Sequence, residues 1–304
     1  MRHLLFTATA LAGLLAFAQG AHAQSQVCAD LAAKWESTKA ELQTPQISAL
    51  LFSAADKGCP KVAETLLAAG ALIEAKDRLG NEPLGHAARE GQVGMIALLL
   101  SHGAQIDYQN IAGSSALFVA IERKHPEAAL FLIEHGANPN LAGRSGATPL
   151  AAAAFTGLDA VASALIAHGA DVKTADKTGK TPMVYAAGNA SAGMIDALLA
   201  AGVDANARYQ NDLTALMWAA GHTDGVPDAA GLAAVTTLLA HGARIEDADN
   251  RGRTALMIAA ERGHAGIAAL LLAKGANAAA KDKEGKSALD LAADAATKAA
   301  LGAG

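Results

Sequence analysis

The stretch DNRGRTALMIAAERGHAGIAALLLAKGANAAAK, Asp249 to Lys281, holds one complete structural unit in 33 residues. Thr254 is placed to cap a helix through its hydroxyl. Leu256, Ile258, Ala259 and Ala260 give that helix an apolar side, and Gly263-His264 breaks it. Ile267, Leu270, Leu271 and Leu272 form the apolar stripe of a second helix. Gly275 ends that helix at a position suited to positive φ. The residues that follow make a projecting turn into the next unit. One unit of this kind cannot bury both of its helices, so its neighbours must cover them.

Outward from this stretch the same punctuation recurs. Gly70, Gly103, Gly136, Gly169 and Gly202 are each 33 residues apart; Gly242 follows after 40 and Gly275 after another 33. A second ladder, Gly80, Gly113, Gly146, Gly179, Asp212, Gly252 and Gly285, keeps the same intervals in the same order. Two ladders in register mark a solenoid, whose function sits on a repeated surface rather than in one catalytic pocket.

The strings GNEPLGHAAREG, GSSALFVAIERK, GATPLAAAAFTG, GKTPMVYAAGNA, DLTALMWAAGHT, GRTALMIAAERG and GKSALDLAADAA resemble the ankyrin repeat pattern. Behind the first six come IALLLSHGA, ALFLIEHGA, ASALIAHGA, IDALLAAGV, VTTLLAHGA and IAALLLAKGA. The resemblance covers about residues 45 to 300. It implies an all-α solenoid of helix-turn-helix units joined by projecting β-turns, about eight units including two degenerate caps. The first unit, from Pro45, lacks the opening turn sequence, and the last, from Asp282, has a short polar second helix, as terminal units need for solubility. The histidine usual after the Pro-Leu of the pattern is replaced by Gly85, Phe118, Ala151, Val184, Met217, Met257 and Asp290. The domain reading is therefore a signal peptide at 1–23, a helical extension at 24–44 and a repeat domain at 45–304.

Residues 1–23 read differently. Arg2 and His3 precede an apolar run, and the Ala-His-Ala before Gln24 is a small-x-small cleavage signal. An uncleaved anchor is the alternative, but the run is shorter than the about 20 residues a span needs. Cleavage leaves 281 residues without stable membrane insertion and, by loss of Arg2, moves the net charge from -5 to -6. That mild acidity over a long surface excludes nonspecific nucleic-acid binding. Export to a periplasm is the first reading, secretion the alternative.

Cys28 and Cys59 are the only cysteines. In an exported chain such a pair permits one bridge, here stapling the extension over the open end of the stack. A redox pair lacks its C-x-x-C spacing, and two free thiols are the remaining possibility.

No nucleophile elbow, HExxH, C-x-x-C or phosphate loop is present, so the chain is read as a monomeric binding protein without cofactor or metal, not an enzyme. His102, His135, His168 and His241 recur before the helix-ending glycines and are assigned to their own helix C-termini. In the resembling family the turns and first helices line a concave face. Carried over residue by residue, that gives a central patch of Arg144, Lys177, Lys180, Arg251 and Arg253, with Phe155, Tyr209, Gln210, Trp218 and His222. Arginine and aromatic residues are what interfaces concentrate at their energetic centres. Phe155 and Tyr209 are expected at the surface, whereas Tyr185 and Trp218 read equally well as core. The partner is another exported or envelope protein. Small periplasmic ankyrin proteins are similar in layout, and some are linked to protection against oxidants. The alternative ligand is an anionic small molecule or envelope glycan. The seven extra residues between His222 and Ala230 lie between two helices, as drift at a tolerant turn or as a partner-contacting loop.

Overall fold

The computed structural model describes residues 24–302; the signal-peptide reading of 1–23 lies outside them. The chain divides between Asn138 and Pro139 into two compact units. In the first, α1 (24–38) precedes the pairs α2 (Thr44–Asp56) and α3 (Pro60–Ala68), α4 (Pro83–Arg89) and α5 (Val93–Ser101), and α6 (Ala116–Glu122) and α7 (Pro126–Glu134). In the second come α8 (Pro149–Thr156) and α9 (Asp159–Ala167), α10 (Pro182–Gly188) and α11 (Ala192–Ala200), α12 (Ala215–Ala220) and α13 (Asp228–Ala240), α14 (Ala255–Glu261) and α15 (Ala265–Ala273), and α16 (Ala288–Leu291) and α17 (Ala295–Gly302). Each unit is a stack of helix pairs: α2, α4 and α6 pack in series, as do α8, α10, α12, α14 and α16. The second helices of the pairs form a parallel series behind them. No strand forms among the described residues; Ala248 and Thr254 make one isolated bridge.

The composition explains the packing. Paired alanines such as Ala87-Ala88, Ala153-Ala154, Ala186-Ala187 and Ala259-Ala260 are fully buried where first helices meet. A larger side chain there would hold the helix axes apart. The second helices contribute the larger apolar groups, for example Met95, Ile96 and Leu99 in α5 and Met194, Ile195 and Leu198 in α11.

First helices begin at hydroxyl caps. The Oγ atoms of Ser115, Thr148, Thr181, Thr214, Thr254 and Ser287 each accept a hydrogen bond from the backbone N–H three residues on. α2, with Gln43 at its cap position, and α4 are the exceptions. In α4 the cap residue is an acid. Glu82 occupies its cap position without capping it, is 3 % exposed, and leaves Oε2 without a hydrogen bond. Burial raises its pKa.

Cys28 and Cys59 form a disulfide that ties α1 to the residue preceding α3. Three of the four helix-end histidines turn back on their own helices: Nδ1 of His102, His135 and His168 lies 3.0, 2.7 and 2.8 Å from the carbonyl oxygens of Leu98, Phe131 and Ala164. His241 departs from the pattern and meets Asp196 at 2.8 Å instead.

The insertion is not confined to a loop. The sixth pair has a first helix of 6 residues and a second of 13, against 7 and 9 in the next pair. The extra residues thus both lengthen the connection and add a turn to the start of α13. Gly231 in that added turn is buried against the ring of His222, where no Cβ would fit.

Candidate functional site

Four of the projecting turns share one construction. Asp77, Asp176, Asp249 and Asp282 each accept backbone N–H bonds from the residues two and four positions on, at 2.7 to 3.1 Å. A carboxylate closing its own turn in this way replaces ladder pairing by local bonds. Successive tips are also joined: Lys177 N–H donates to the Ser145 carbonyl at 2.9 Å, and Lys283 N–H to that of Arg251 at 2.9 Å. The usual histidine is therefore not needed to register one turn on the next.

Within the second unit the bond between their turns sets Arg144 and Lys177 side by side on adjacent tips, both exposed and neither in an ion pair among the described residues. From Lys177 the surface continues through Asp176 to Tyr185, whose hydroxyl donates to Asp176 Oδ2. Burial and then this bond push the Tyr185 pKa up to about 12, so the hydroxyl stays a donor. Burial opposes ionisation of Asp176, yet the bonds from Thr178, Tyr185 and Lys180 hold its pKa below the usual value. Asp176 is thus a fixed anion whose acceptor sites are already occupied.

Lys180 places Nζ 5.6 Å from the Tyr185 ring centroid, a cation–π contact. Phe155, at the far end of α8, packs edge-on against Tyr185 with centroids 5.7 Å apart and stays 63 % exposed. Arg144, Lys177, Lys180, Tyr185 and Phe155 therefore form one continuous surface, basic at the turn tips and aromatic at the helix ends.

Other residues expected on this face are placed differently. Arg253 is only 16 % exposed in its side chain, held by Asp249 at 2.9 Å and Glu261 at 2.7 Å, so its charge is neutralised within its own repeat. Arg251 is exposed beside Glu284 at 3.6 Å. Tyr209, expected at the surface, is half-buried and stands where four of the turns have their closing Asp; its hydroxyl is buried beside Thr181, and burial pushes its pKa up to about 12. Asp212 takes a φ of 60° where the other turns have a positive-φ glycine, and Asn211 before it takes 60° as well. Gln210 is exposed and lies across Gly179. Trp218 is half-buried with a buried, unpartnered indole N–H.

His222, also expected on the face, is 3 % exposed and stacks on His264 with centroids 4.0 Å apart. Thr223 N–H donates to the Gly188 carbonyl at 3.0 Å, so the start of the insertion is bonded to the preceding pair. Tyr185, which reads equally well as core in the sequence, is half-buried and touches Asp176, Phe155 and Lys180. Its signal is the nine-residue step from Asp176, the same step that separates Asp77 from His86.

Among the described residues no group of three or more His, Cys, Asp or Glu is placed to hold a metal ion, and no helix is long and apolar enough to cross a membrane. A family model described as ankyrin repeats (3 copies) matches residues 50–143, 141–209, 190–282 and 228–300. No curated protein matches the chain.

Proposed function

The chain belongs to the ankyrin repeat family, and from that premise we propose that it is an exported protein-binding scaffold or modulator. It acts as a monomer, in a periplasm or secreted, on another exported or envelope protein; proteins of oxidative-stress defence are one such class. The observation that carries this reading is the exposed surface of Arg144, Lys177, Lys180, Tyr185 and Phe155. It joins cations at the turn tips to a packed aromatic pair, the combination that steers and then holds a protein partner. The resemblance adds that turns and first helices form the binding face in this family.

The unpaired charges of Arg144, Lys177 and Lys180 also favour the second reading, an anionic small ligand or envelope glycan. Pull-down from the native compartment with wild-type and Phe155→Ala protein separates the two. A co-purifying protein lost in the variant supports the scaffold. Displacement by soluble anionic envelope fragments, with no protein retained, supports the ligand reading.

A further inference from the structure

We infer that the partner element is an acidic segment carrying one aromatic or large aliphatic residue a few positions from its acids. The inference rests on the scaffold reading and names the chemistry that its surface selects.

Charge is the first argument. The whole chain is acidic, at -5, yet Arg144, Lys177 and Lys180 stand together without an ion-pair partner among the described residues. The one carboxylate among them, Asp176, has its oxygens committed to Thr178, Lys180 and Tyr185. Its charge offsets one of the neighbouring cations, but it makes no direct ion pair with any of them among the described residues, so the row stays net positive. Elsewhere in the same unit most arginines meet a carboxylate: Arg253 pairs with Asp249 and Glu261, Arg244 and Arg208 with Asp247, and Arg251 stands beside Glu284; Arg262 alone of them is exposed without an ion pair among the described residues. An acidic side chain is therefore the complement this surface lacks.

Shape is the second. The tips of Arg144 and Lys177 are registered by the backbone bond from Lys177 to Ser145, which fixes the start of the cationic row. Phe155 lies six residues into α8 from Pro149, about 9 Å along its axis at about 1.5 Å per residue. An extended chain covers that distance in about three residues. The tips project beyond the start of α8, so acids on the tips place an apolar side chain four or more positions away over Phe155. The edge-on packing of Tyr185, itself held by Asp176, keeps Phe155 upright to receive it.

The test uses the chain from Gln24 onward and a labelled peptide with two adjacent glutamates and a phenylalanine four positions later, read by fluorescence anisotropy. Saturable binding should weaken as salt rises. It should fall about tenfold or more for Arg144→Glu/Lys177→Glu and for the peptide with lysines in place of glutamates. Phe155→Ala should chiefly hasten dissociation. A peptide with the phenylalanine moved next to the acids should bind more weakly. Melting curves of each variant confirm folding; both tip residues are exposed and outside the helices, and Lys177→Glu alone is the fallback.

Equal binding of the lysine peptide, or an unchanged affinity in the folded reversal, overturns the inference. Equal binding of a peptide without the phenylalanine, matched by polyphosphate, overturns it in favour of a plain anion site. A native partner lost on Phe155→Ala but not displaced by the peptide leaves the scaffold reading standing and removes the acidic segment. Peptide binding with no native partner retained does the reverse.

Discussion

The repeats that begin at Asp77 and Asp176 occupy the same frame, three repeats apart, and differ in what they do with charge. Both close their turn with the aspartate, and both bond that aspartate to the residue nine positions on, His86 in one and Tyr185 in the other. In the first, the His86 ring lies between Asp77 at 3.1 Å and Asp56 at 2.9 Å, and Arg89 joins Asp56 at 2.8 Å. His86, Asp77, Asp56 and Arg89 satisfy one another, and the tip shows Arg78 and apolar Leu79, both exposed. In the second, a neutral tyrosine takes the aspartate, Lys177 is exposed where the first repeat has Arg78, and half-buried Lys180 lies over the tyrosine ring. The two repeats thus share a cationic tip and differ behind it: one backbone carries an internally paired acid–base cluster in the first and an aromatic surface with a second cation in the other.

The largest expected effect probes the first of these repeats from its end. Reducing the Cys28–Cys59 bridge, or replacing both with serine, releases a loop of 31 residues and should cost about 3–4 kcal/mol. Hydrogen exchange should place the loss in α1 to α3, adjoining the Asp77 repeat, and leave the Asp176 repeat protected, because contacts in a stack are local. Uniform weakening across all pairs would contradict a local staple, and two alkylatable thiols in protein from its native compartment would remove the bridge altogether.

Glycines common to the frame come next. Gly136 and Gly169 have φ of 88° and 84° with open space where a Cβ would stand. Valine at either site meets backbone strain alone, about 1–2 kcal/mol. The melting shift should be alike for the two, while exchange maps the damage to different neighbours.

The caps sharpen the comparison further. Glu82 and Thr181 hold the same position in the two repeats, yet only Thr181 caps its helix. Glu82→Thr should stabilise by about 1 kcal/mol from the cap. It also removes a buried carboxyl whose raised pKa reports an uncomfortable site. Because that pKa lies above the unfolded value, the carboxyl's contribution worsens as pH rises through the carboxylate range. The gain should accordingly be larger at neutral pH than at pH 4; a variant no more stable than wild type at neutral pH would show that the glutamate has a compensating contact. A smaller gain, about 0.5 kcal/mol, is expected for Ala190→Gly, since alanine there takes a φ of 52° where the Asp77 repeat has Gly91. An unchanged or lower melting temperature would mean that packing of the buried methyl outweighs the strain.

Periodicity made the fold legible because the features that repeat are those the backbone requires: glycine at most positive-φ positions, a hydroxyl before six of the first helices, alanine where helices touch. The exposed tips at Arg144 and Lys177 were legible for the same reason, being outside every periodic constraint. Tyr209, His222 and Arg253 were not, since each departs from the repeat and its burial depends on a neighbour. Tyr209 fills an aspartate's place, Arg253 finds Glu261 eight residues on, and His222 lies beneath a helical turn that the insertion itself creates. The insertion was visible as seven extra residues, but Gly225 and Pro227 signalled a loop and hid the lengthened helix that Asp228 begins. Deleting Thr223 to Ala229 should therefore disturb α12 and α13, rather than simply rejoin them.

The smallest expected effect comes from the same insertion and sets one buried histidine against another. His86 has carboxylates at both ring nitrogens, whereas His222 has none in contact. Its Nδ1 donates to the Thr223 carbonyl at 3.2 Å, and its Nε2 is buried without a partner. Burial lowers the pKa of His222; the Thr223 carbonyl raises it, His264 lowers it, and Asp228 and Asp224 raise it, without reversing the net direction. The folded state thus binds the proton less readily than the unfolded chain, whose histidine titrates near 6.5. Stability from neutral His222 is fully present above that value and is lost as pH falls through it toward the folded pKa. His222→Asn keeps an N–H donor and removes the titration. The wild type should therefore lose more melting temperature than the variant between pH 7.5 and 5.5, with exchange rising first in 221–231. Parallel pH profiles would show that the ring accepts its proton without opening the turn above it.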